Sequence, residues 1–234
     1  TGIYSFVYAG LDSQNGMPYF DKMDQAEKTS DPDKLFVYSG QLDPKVTWYM
    51  QPTVRYKTLT LTSNFYVSLG GVKRLNPLFG QLLTTSLAPH PFNNASKEYQ
   101  YRWRKPGDET RTNIPALVGE TSEESRVRVP YANITDRGSI TNVSVNVLQA
   151  YNWSDLRTVR NSYLRCTNLS LNYALPAARL SQKVLRGLSL GMSVNNVFTI
   201  ANKQLKGQDP EIDGVGTTAL PMSRQFAFSI NANF

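Results

Sequence analysis

Residues 45–56 alternate. Val46, Trp48, Met50, Pro52, Val54 and Tyr56 fall on one side of an extended chain, and Lys45, Thr47, Tyr49, Gln51, Thr53 and Arg55 on the other. Successive strand side chains point to opposite faces, so the segment predicts a strand with one apolar and one polar face. Pro52 removes a ladder donor, and a bulge is expected there. The next segment repeats the pattern. Leu59, Leu61, Phe65, Val67 and Leu69 share a side, with Ser63 the exception, opposite Thr58, Thr60, Thr62, Asn64, Tyr66 and Ser68. The two segments meet at Arg55-Tyr56-Lys57. That predicts a tight hairpin of strands about ten residues long, the length a tilted strand needs to cross a bilayer.

From Gly70 to about Gly138 the pattern dissolves into Pro, Asn, Gly and charged residues with no helical period. So long an irregular stretch is foreign to a compact soluble domain and natural to the long extracellular loops of a barrel, interleaved with strands the pattern does not place. Regularity returns over Asn161–Pro176, where Leu169, Leu171, Tyr173 and Leu175 alternate with Asn168, Ser170 and Asn172. Residues 177–186 predict a polar turn with helical character. Leu188, Leu190, Met192 and Val194 then alternate with Ser189, Gly191, Ser193 and Asn195. Asn202 to Pro221 is a loop, and in the closing strand Phe226, Phe228, Ile230, Ala232 and Phe234 share one face.

Two architectures produce such strands: a membrane β-barrel and a soluble β-sandwich. The polar faces carry mostly Thr, Ser, Asn and Gln, where an edge-managed soluble sheet shows more Lys and Glu. The loops alternate short and long. Both features favour the barrel. No run of eighteen apolar residues exists for a membrane helix, which leaves strand-built spans open.

Composition refines this picture. Thirteen Tyr, ten Phe and three Trp suit a membrane–water interface, where one end of the ring stays wet, and equally suit carbohydrate binding. The net charge of +7 is carried by scattered residues such as Lys57, Lys73, Arg102, Arg126 and Arg186. Without a basic run or a recognition motif, this reads as a solvated surface rather than a nucleic-acid interface. The one cysteine, Cys166, forms no internal disulfide and reads as a small packed residue. The one histidine, His90, sits in a Pro-His-Pro loop. A histidine triad and a His-rich zinc site are both excluded. Glu123-Glu124 is a solvated acidic pair, and Asp12 with Asn15 reads as a turn rather than a calcium loop. The Asn-x-Ser/Thr triplets at Asn94, Asn133, Asn142, Asn152 and Asn168 are expected by chance in a chain rich in Asn and Ser. No catalytic residue, cofactor or metal is assigned.

The motifs resemble the C-terminal region of SusC/RagA-type TonB-dependent transporters of Bacteroidetes. Tyr163-Leu164-Arg165 followed by Asn168 to Pro176 is similar to that family's "YLR…N-x-x-L-x-Y-x-LP" strand. Asn196-Val197-Phe198-Thr199 is similar to its "N-L-F-T", and Asp209-Pro210-Glu211 to the "DPE" of its last extracellular loop, before Pro221 and Arg224 introduce the terminal strand. Upstream, Tyr8-Ala9-Gly10-Leu11-Asp12 with Gly16-Met17-Pro18 resembles "YAGLD…G-x-P". Ser39-Gly40 and Pro44-Lys45 precede the hairpin, and Trp103 to Thr110 resembles "W-x-KPGDE".

The resemblance implies an all-β fold: antiparallel transmembrane strands forming the C-terminal portion of a barrel of about twenty-two strands, with long extracellular loops. Residues 1–234 would supply about seven or eight strands, with 70–138 mainly extracellular. An open sheet edge is not tolerated in a membrane. The remaining strands, the plug and the TonB box are therefore expected elsewhere in the same protein, unless the chain is a fragment. The implied role is import of a large nutrient, an oligosaccharide or a peptide, across the bacterial outer membrane. Its implied partners are TonB, a SusD-like surface lipoprotein and outer-membrane lipid, with no nucleic acid. The alternative is a soluble β-sandwich that binds glycans. Tyr99, Tyr101 and Trp103 are candidate ligand contacts, because alternating exposed aromatics can stack on sugar rings. They also suit loop packing or an interface girdle. The terminal segment with Phe226, Phe228 and Phe234 resembles the signal read by the barrel-assembly machinery.

Overall fold

The computed structural model describes residues 2–21, 36–79, 96–117, 128–134, 140–176, 186–212 and 221–233. The chain divides into two compact units. One comprises 1–42, 72–159 and 213–219, the other 43–71, 160–212 and 220–234.

In the first unit, β1 (Gly2–Phe6) pairs antiparallel with β4 (Phe36–Gln41), and β2 (Tyr8–Leu11) with β3 (Pro18–Phe20). β9 (Arg128–Ile134) pairs with β10 (Ile140–Asn146). The chain then passes directly into one short helix, α1 (Val147–Asn152), where the Asn146 carboxamide oxygen accepts from the Leu148 N–H at 2.9 Å. Asn, whose side chain competes for backbone donors, is a favoured residue at this capping position. β8 (Val72–Arg74) pairs with β11 (Thr158–Arg160), which runs to the unit's boundary.

These strands are short, and the core is assembled from between them. Phe6, Phe20, Phe79, Trp103, Leu148 and Tyr151 are buried together. Full burial of each such side chain contributes about 1.5–3 kcal/mol. Asn152 ties the chain around this core. Its side-chain oxygen accepts from Leu78 N at 2.8 Å and Phe79 N at 3.3 Å, and its amide donates to Phe79 O at 2.7 Å. The 8–20 loop locks in the same way. Asp12 Oδ1 accepts from Gln14 N (2.8 Å) and Asn15 N (3.1 Å), and Asn15 Oδ1 from Met17 N (2.9 Å). These oxygens are committed to turn hydrogen bonds, as the reading of Asp12 and Asn15 as a turn requires.

The second unit is a single antiparallel sheet. β5 (Val46–Met50) and β6 (Thr53–Tyr56) pair along β7 (Leu59–Leu69). β7 pairs with β12 (Tyr163–Ala174), then follow β13 (Gly187–Ala201) and β14 (Gln225–Asn233). The hairpin predicted at Arg55–Lys57 is present as the turn between β6 and β7, with Lys57 in the left-handed region at φ 54°. The bulge expected at Pro52 is not. Met50 faces Phe65 and Thr53 faces Thr62, three steps on either strand, so no residue is inserted. Proline interrupts the strand but its carbonyl still accepts from Ser63 N at 3.1 Å, and one lost donor does not shift the register.

The irregularity lies elsewhere. Between the pairs Phe65–Cys166–Phe198 and Asn64–Asn168–Asn195, β7 advances one residue, β12 two and β13 three. Thr167 is the extra residue of β12. Asn196 and Val197 are those of β13, with Asn196 left-handed at φ 54°. Because a bulge reverses the alternation, Leu164 and Cys166 face the same way as Leu169, Leu171 and Tyr173. The terminal strand runs as predicted through Phe226 and Phe228, and Phe234 lies outside the described residues. The predicted turn at 177–186 also lies outside them, apart from Arg186.

Among the described residues of 70–138 the structure places β8, β9 and two short 3-10 turns. Within this region Trp103 lies over Gly16. Gly16 has φ 68°, and a Cβ there would come within 2.4 Å of the indole. Trp103 N donates to Ile114 O at 2.9 Å and Ala116 N to Gly16 O at 3.0 Å. Gly16→Ala therefore adds left-handed strain, about 1–2 kcal/mol, to displacement of the ring. At about 2 kcal/mol in total, amide exchange at Trp103 and Ala116 in the whole protein rises about 30-fold, while the long sheet's amides keep their rates.

Candidate functional site

The three aromatic candidates separate in the structure. Tyr99 and Tyr101 lie in a 3-10 turn, Lys97–Tyr101, started by Ser96, whose hydroxyl accepts from Glu98 N at 3.2 Å. A turn of this kind does not carry alternate residues on one face, so the spacing that suggested a shared platform does not produce one here. Tyr99 packs edge-on against Phe79 at 5.9 Å, and its hydroxyl donates to the Leu78 carbonyl. Burial pushes that hydroxyl up to about 12, against the opposing pull of Arg157. Trp103 is buried, and its indole N–H donates to Glu109 Oε2 at 3.1 Å. Tyr101 is 71% exposed and presents a free ring.

The residues around Trp103 organise a loop. Asp108 Oδ2 accepts from Arg104 N (3.1 Å) and Lys105 N (3.2 Å), and Glu109 Oε2 from Gly107 N (2.8 Å). Gly107 adopts φ 98°, open to glycine and strained for other residues. Hydrogen bonds to its own backbone N–H and then to the Trp103 indole hold the Glu109 carboxyl below the usual carboxylate range. At the base of this region Arg157, 1% exposed, pairs with Glu98 at 2.8 Å, donates to Asn76 O at 2.7 Å, and lies 5.9 Å from the Tyr151 ring centroid. Burial raises the Tyr151 hydroxyl to about 12, with Arg157 pulling the other way.

In the second unit the two faces of the sheet differ in chemistry. One carries Leu61, Leu171, Met192 and Phe228 across a single rung. The other is hydroxyl and amide. Asn168 Nδ2 donates to Asn195 Oδ1 at 2.8 Å, and Thr53 and Thr62 share a hydrogen bond at 3.2 Å. The bulge places Arg165 on this polar side, where it meets the loop after β13. Its Nη2 pairs with Asp209 at 2.6 Å and its Nε lies 3.4 Å from Glu211. The Arg165 and Asp209 side chains are 3% and 6% exposed. Asp209 Oδ1 also accepts from Glu211 N at 2.9 Å, and Asn161 Nδ2 donates to Pro210 O at 3.0 Å. A cavity of about 380 Å³ lies beside Arg165, bounded also by Asn196, Lys203, Met222 and Arg224.

Sequence reasoning named the Tyr163–Arg165 and Asp209–Glu211 motifs separately and missed that they bind each other. The available signal was a lone cation in a strand otherwise built of apolar and neutral polar residues, with three acids, Asp209, Glu211 and Asp213, in the loop after the next strand. The Arg157–Glu98 pair was missed too, since neither residue lies in a motif. Cys166 is 2% exposed, as its reading as a packed residue requires. Asn152 and Asn168 spend their amides on internal hydrogen bonds and are not placed to carry a glycan. His90, Asn94 and Glu123-Glu124 lie outside the described residues. What the described arrangement offers chemically is binding and positioning, through charged clamps, hydroxyl surfaces and aromatic faces.

The chain matches no protein-family model and no curated protein. Its fold does match solved structures. The RagAB peptide transporter aligns at TM-score 0.60 and 20% identity, over 100% of this chain and 23% of that chain. The RagAB peptide importer in its "open-open" state gives 0.62 and 21%, over 99% of this chain and 22% of that chain. The "closed-closed" state gives 0.59 and 20%, over 99% and 23%. The chain thus spans less than a quarter of those chains and shares the all-β, antiparallel fold of that portion.

Removing one partner of a buried ion pair strands the other charge, at about 3–5 kcal/mol. Asp209→Ala is expected to free the 202–212 loop, seen as a rise of at least a hundredfold in amide exchange at Leu205 and Gln208. The Arg165→Met, Asp209→Leu double variant loses less than the sum of the singles. For Glu109, a folded pKa below the unfolded one gives stability that is present above the ordinary carboxylate range and is lost as pH falls through the folded value. Acidification below the ordinary carboxylate range should break the Glu109–Trp103 indole hydrogen bond, read by Trp fluorescence, and Glu109→Gln should remove that acid-dependent step.

Proposed function

We propose that this chain forms part of the wall and outer loops of an outer-membrane β-barrel that imports a large nutrient, an oligosaccharide or a peptide, in a TonB-dependent manner. The carrying observation is the apolar face of the long sheet. Val46, Trp48, Val54 and Tyr56 of β5 and β6 are 55%, 60%, 63% and 68% exposed, and Phe226, Phe228 and Ile230 of β14 are 62%, 76% and 73% exposed. A contiguous apolar surface of this breadth is foreign to a soluble monomer, whose largest patches cover a few hundred Å². Its height suits lipid. Ten steps from Val46 to Tyr56 extend about 33 Å, or about 25 Å along the normal at a tilt of about 40°, the apolar band of an outer-membrane barrel.

The likeness to the RagAB structures supports the same reading at the level of fold. The polar face, lined by Ser, Thr and Asn, would face the lumen. Substrate would be held there and among the outer loops, where Tyr101 offers a free ring, and released when TonB acts on a plug supplied by another part of the protein. A SusD-like lipoprotein would cap the loops, with residues 70–138 contributing. Phe226 and Phe228, with Phe234, would serve as the assembly signal. No bond is made or broken in such a cycle, so no catalytic residue is assigned.

Fractionated source cells probed with antiserum to this segment should give an outer-membrane band several times heavier than the chain, co-purifying with a lipoprotein. A water-soluble band of the chain's own size would overturn the proposal and return the soluble glycan-binding sandwich. Neighbouring substitutions test the facing directly. Val194→Arg, on the apolar face near mid-span, should lower the stability of the whole barrel in lipid vesicles by about 2–4 kcal/mol. Ser193→Arg, one residue away on the polar face, should leave it within about 1 kcal/mol. Urea unfolding measures both.

A further inference from the structure

The acidic side chains of the second unit are confined to one end of its strands, an end that also holds Lys45, Arg160, Arg165, Lys203, Lys206 and Arg224. These acids are Asp43, Asp209 and Glu211. All three lie at the end where β5 begins and where the loop after β13 meets Arg165. At the opposite end, where β6 turns into β7 and where β13 begins, stand Arg55, Lys57 and Arg186. Among the described residues none of these three cations is paired with an acid. By register Lys57 stands opposite Leu175, and Leu175 opposite Leu188, so Arg186 lies two residues farther toward this end than Lys57; Arg186 N donates to Asn233 O at 2.7 Å.

The rung of the apolar face just inside this end is Tyr56–Leu59–Tyr173–Leu190–Ile230. It thus carries two tyrosines among aliphatic side chains. Tyr56 is 68% exposed, and the Lys57 ammonium lies 5.4 Å from its ring centroid. The order along the strand is therefore aliphatic, then aromatic with a polar tip, then cationic. Crossing from hydrocarbon to water in a phospholipid layer meets acyl chain, then carbonyl and glycerol, then phosphate. Tyrosine sits best at the middle of these zones and a lysine or arginine at the last. Arg55 faces the polar side and adds to the field without bordering the lipid.

We infer that the short-turn end of this sheet rests on anionic phospholipid headgroups, with their phosphates against Lys57 and Arg186. The inference rests on the membrane reading above. It ties particular residues to the orientation given there, in which the end with the long loops faces away from that leaflet. It also adds a lipid class, since a cation near a charged leaflet gains about fivefold in local association per charge at ordinary salt.

The test is lipid selectivity in the full-length protein, reconstituted in phosphatidylcholine bilayers with trace spin-labelled phosphatidylglycerol or phosphatidylcholine. Averaged over all lipid contacts, the immobilised fraction should favour phosphatidylglycerol by about twofold. In the Lys57→Gln, Arg186→Gln variant the ratio should fall to about one. Both side chains are exposed, so the core is untouched. About 1 M salt, with a screening length of about 3 Å, should lower the ratio in the unaltered protein as well. Equal immobilisation of the two lipids, or a preference that survives both neutralisation and salt, overturns the headgroup inference and leaves the barrel standing. A protein that immobilises no lipid overturns the membrane reading, and this inference with it.

Discussion

β12 is hydrogen-bonded on both edges, and its register against β7 and β13 decides which side chains of the long sheet point together. In a two-faced sheet a slip of one residue exchanges the faces completely. Here a slip would put Asn168, Ser170 and Asn172 among the leucines and send Arg165 away from Asp209. The division into an apolar and a hydroxyl-lined surface, the clamp on the loop after β13, and the level of the tyrosines at one rim all follow from that one alignment. The hydrogen bonds between Asn168 and Asn195 and between Ser170 and Thr62 O reinforce it from the polar side.

The two units hold their loops by the same device. Each buries an arginine whose side chain reaches an acid distant in sequence: Arg157 to Glu98 and Arg165 to Asp209. Taking a guanidinium and a carboxylate out of water is costly, and the mutual attraction offsets that cost only when the remaining donors find acceptors. Arg157 meets this condition in part, with Asn76 O and the Tyr151 ring, and Arg165 in part, with Glu211 3.4 Å away, while the Nε of each is buried without a hydrogen-bond acceptor. Such pairs add little net stability compared with an apolar contact. What they supply is selectivity, because an arginine fork satisfies a carboxylate in few geometries.

The long strands were legible because a strand with an apolar and a polar face writes its period into the sequence over nine residues or more. β7, β13 and β14 are of this kind. β12 was legible only in its second half. Counted straight through, Arg165 would share a row with Leu169 and Leu171, and only the bulge at Thr167 turns it to the other side. The first unit was poorly legible for a different reason. Its core residues, such as Phe6, Leu11, Phe79 and Trp103, come from short strands and turns that are buried by each other and not by a repeating face. β10 and α1 went unplaced for that reason. The motifs did carry information, as contacts: Gly16 and Trp103 belong to two of them and touch. Trp103 and Tyr99 looked like ligand platforms because an aromatic in a polar loop gives no sign of whether it is covered.

The unequal step at one level of β7, β12 and β13 bears on how such a sheet tolerates change in length. Elsewhere in β12, gaining or losing one residue would turn half the strand over, exchanging its apolar and polar faces in one event. At Thr167 the loss of a residue simply restores plain alternation, with Cys166 and Asn168 already on opposite faces and every side chain keeping its side. This level is an expansion joint. The strand can change length there while its two faces stay the same, and elsewhere a change of one residue exchanges them.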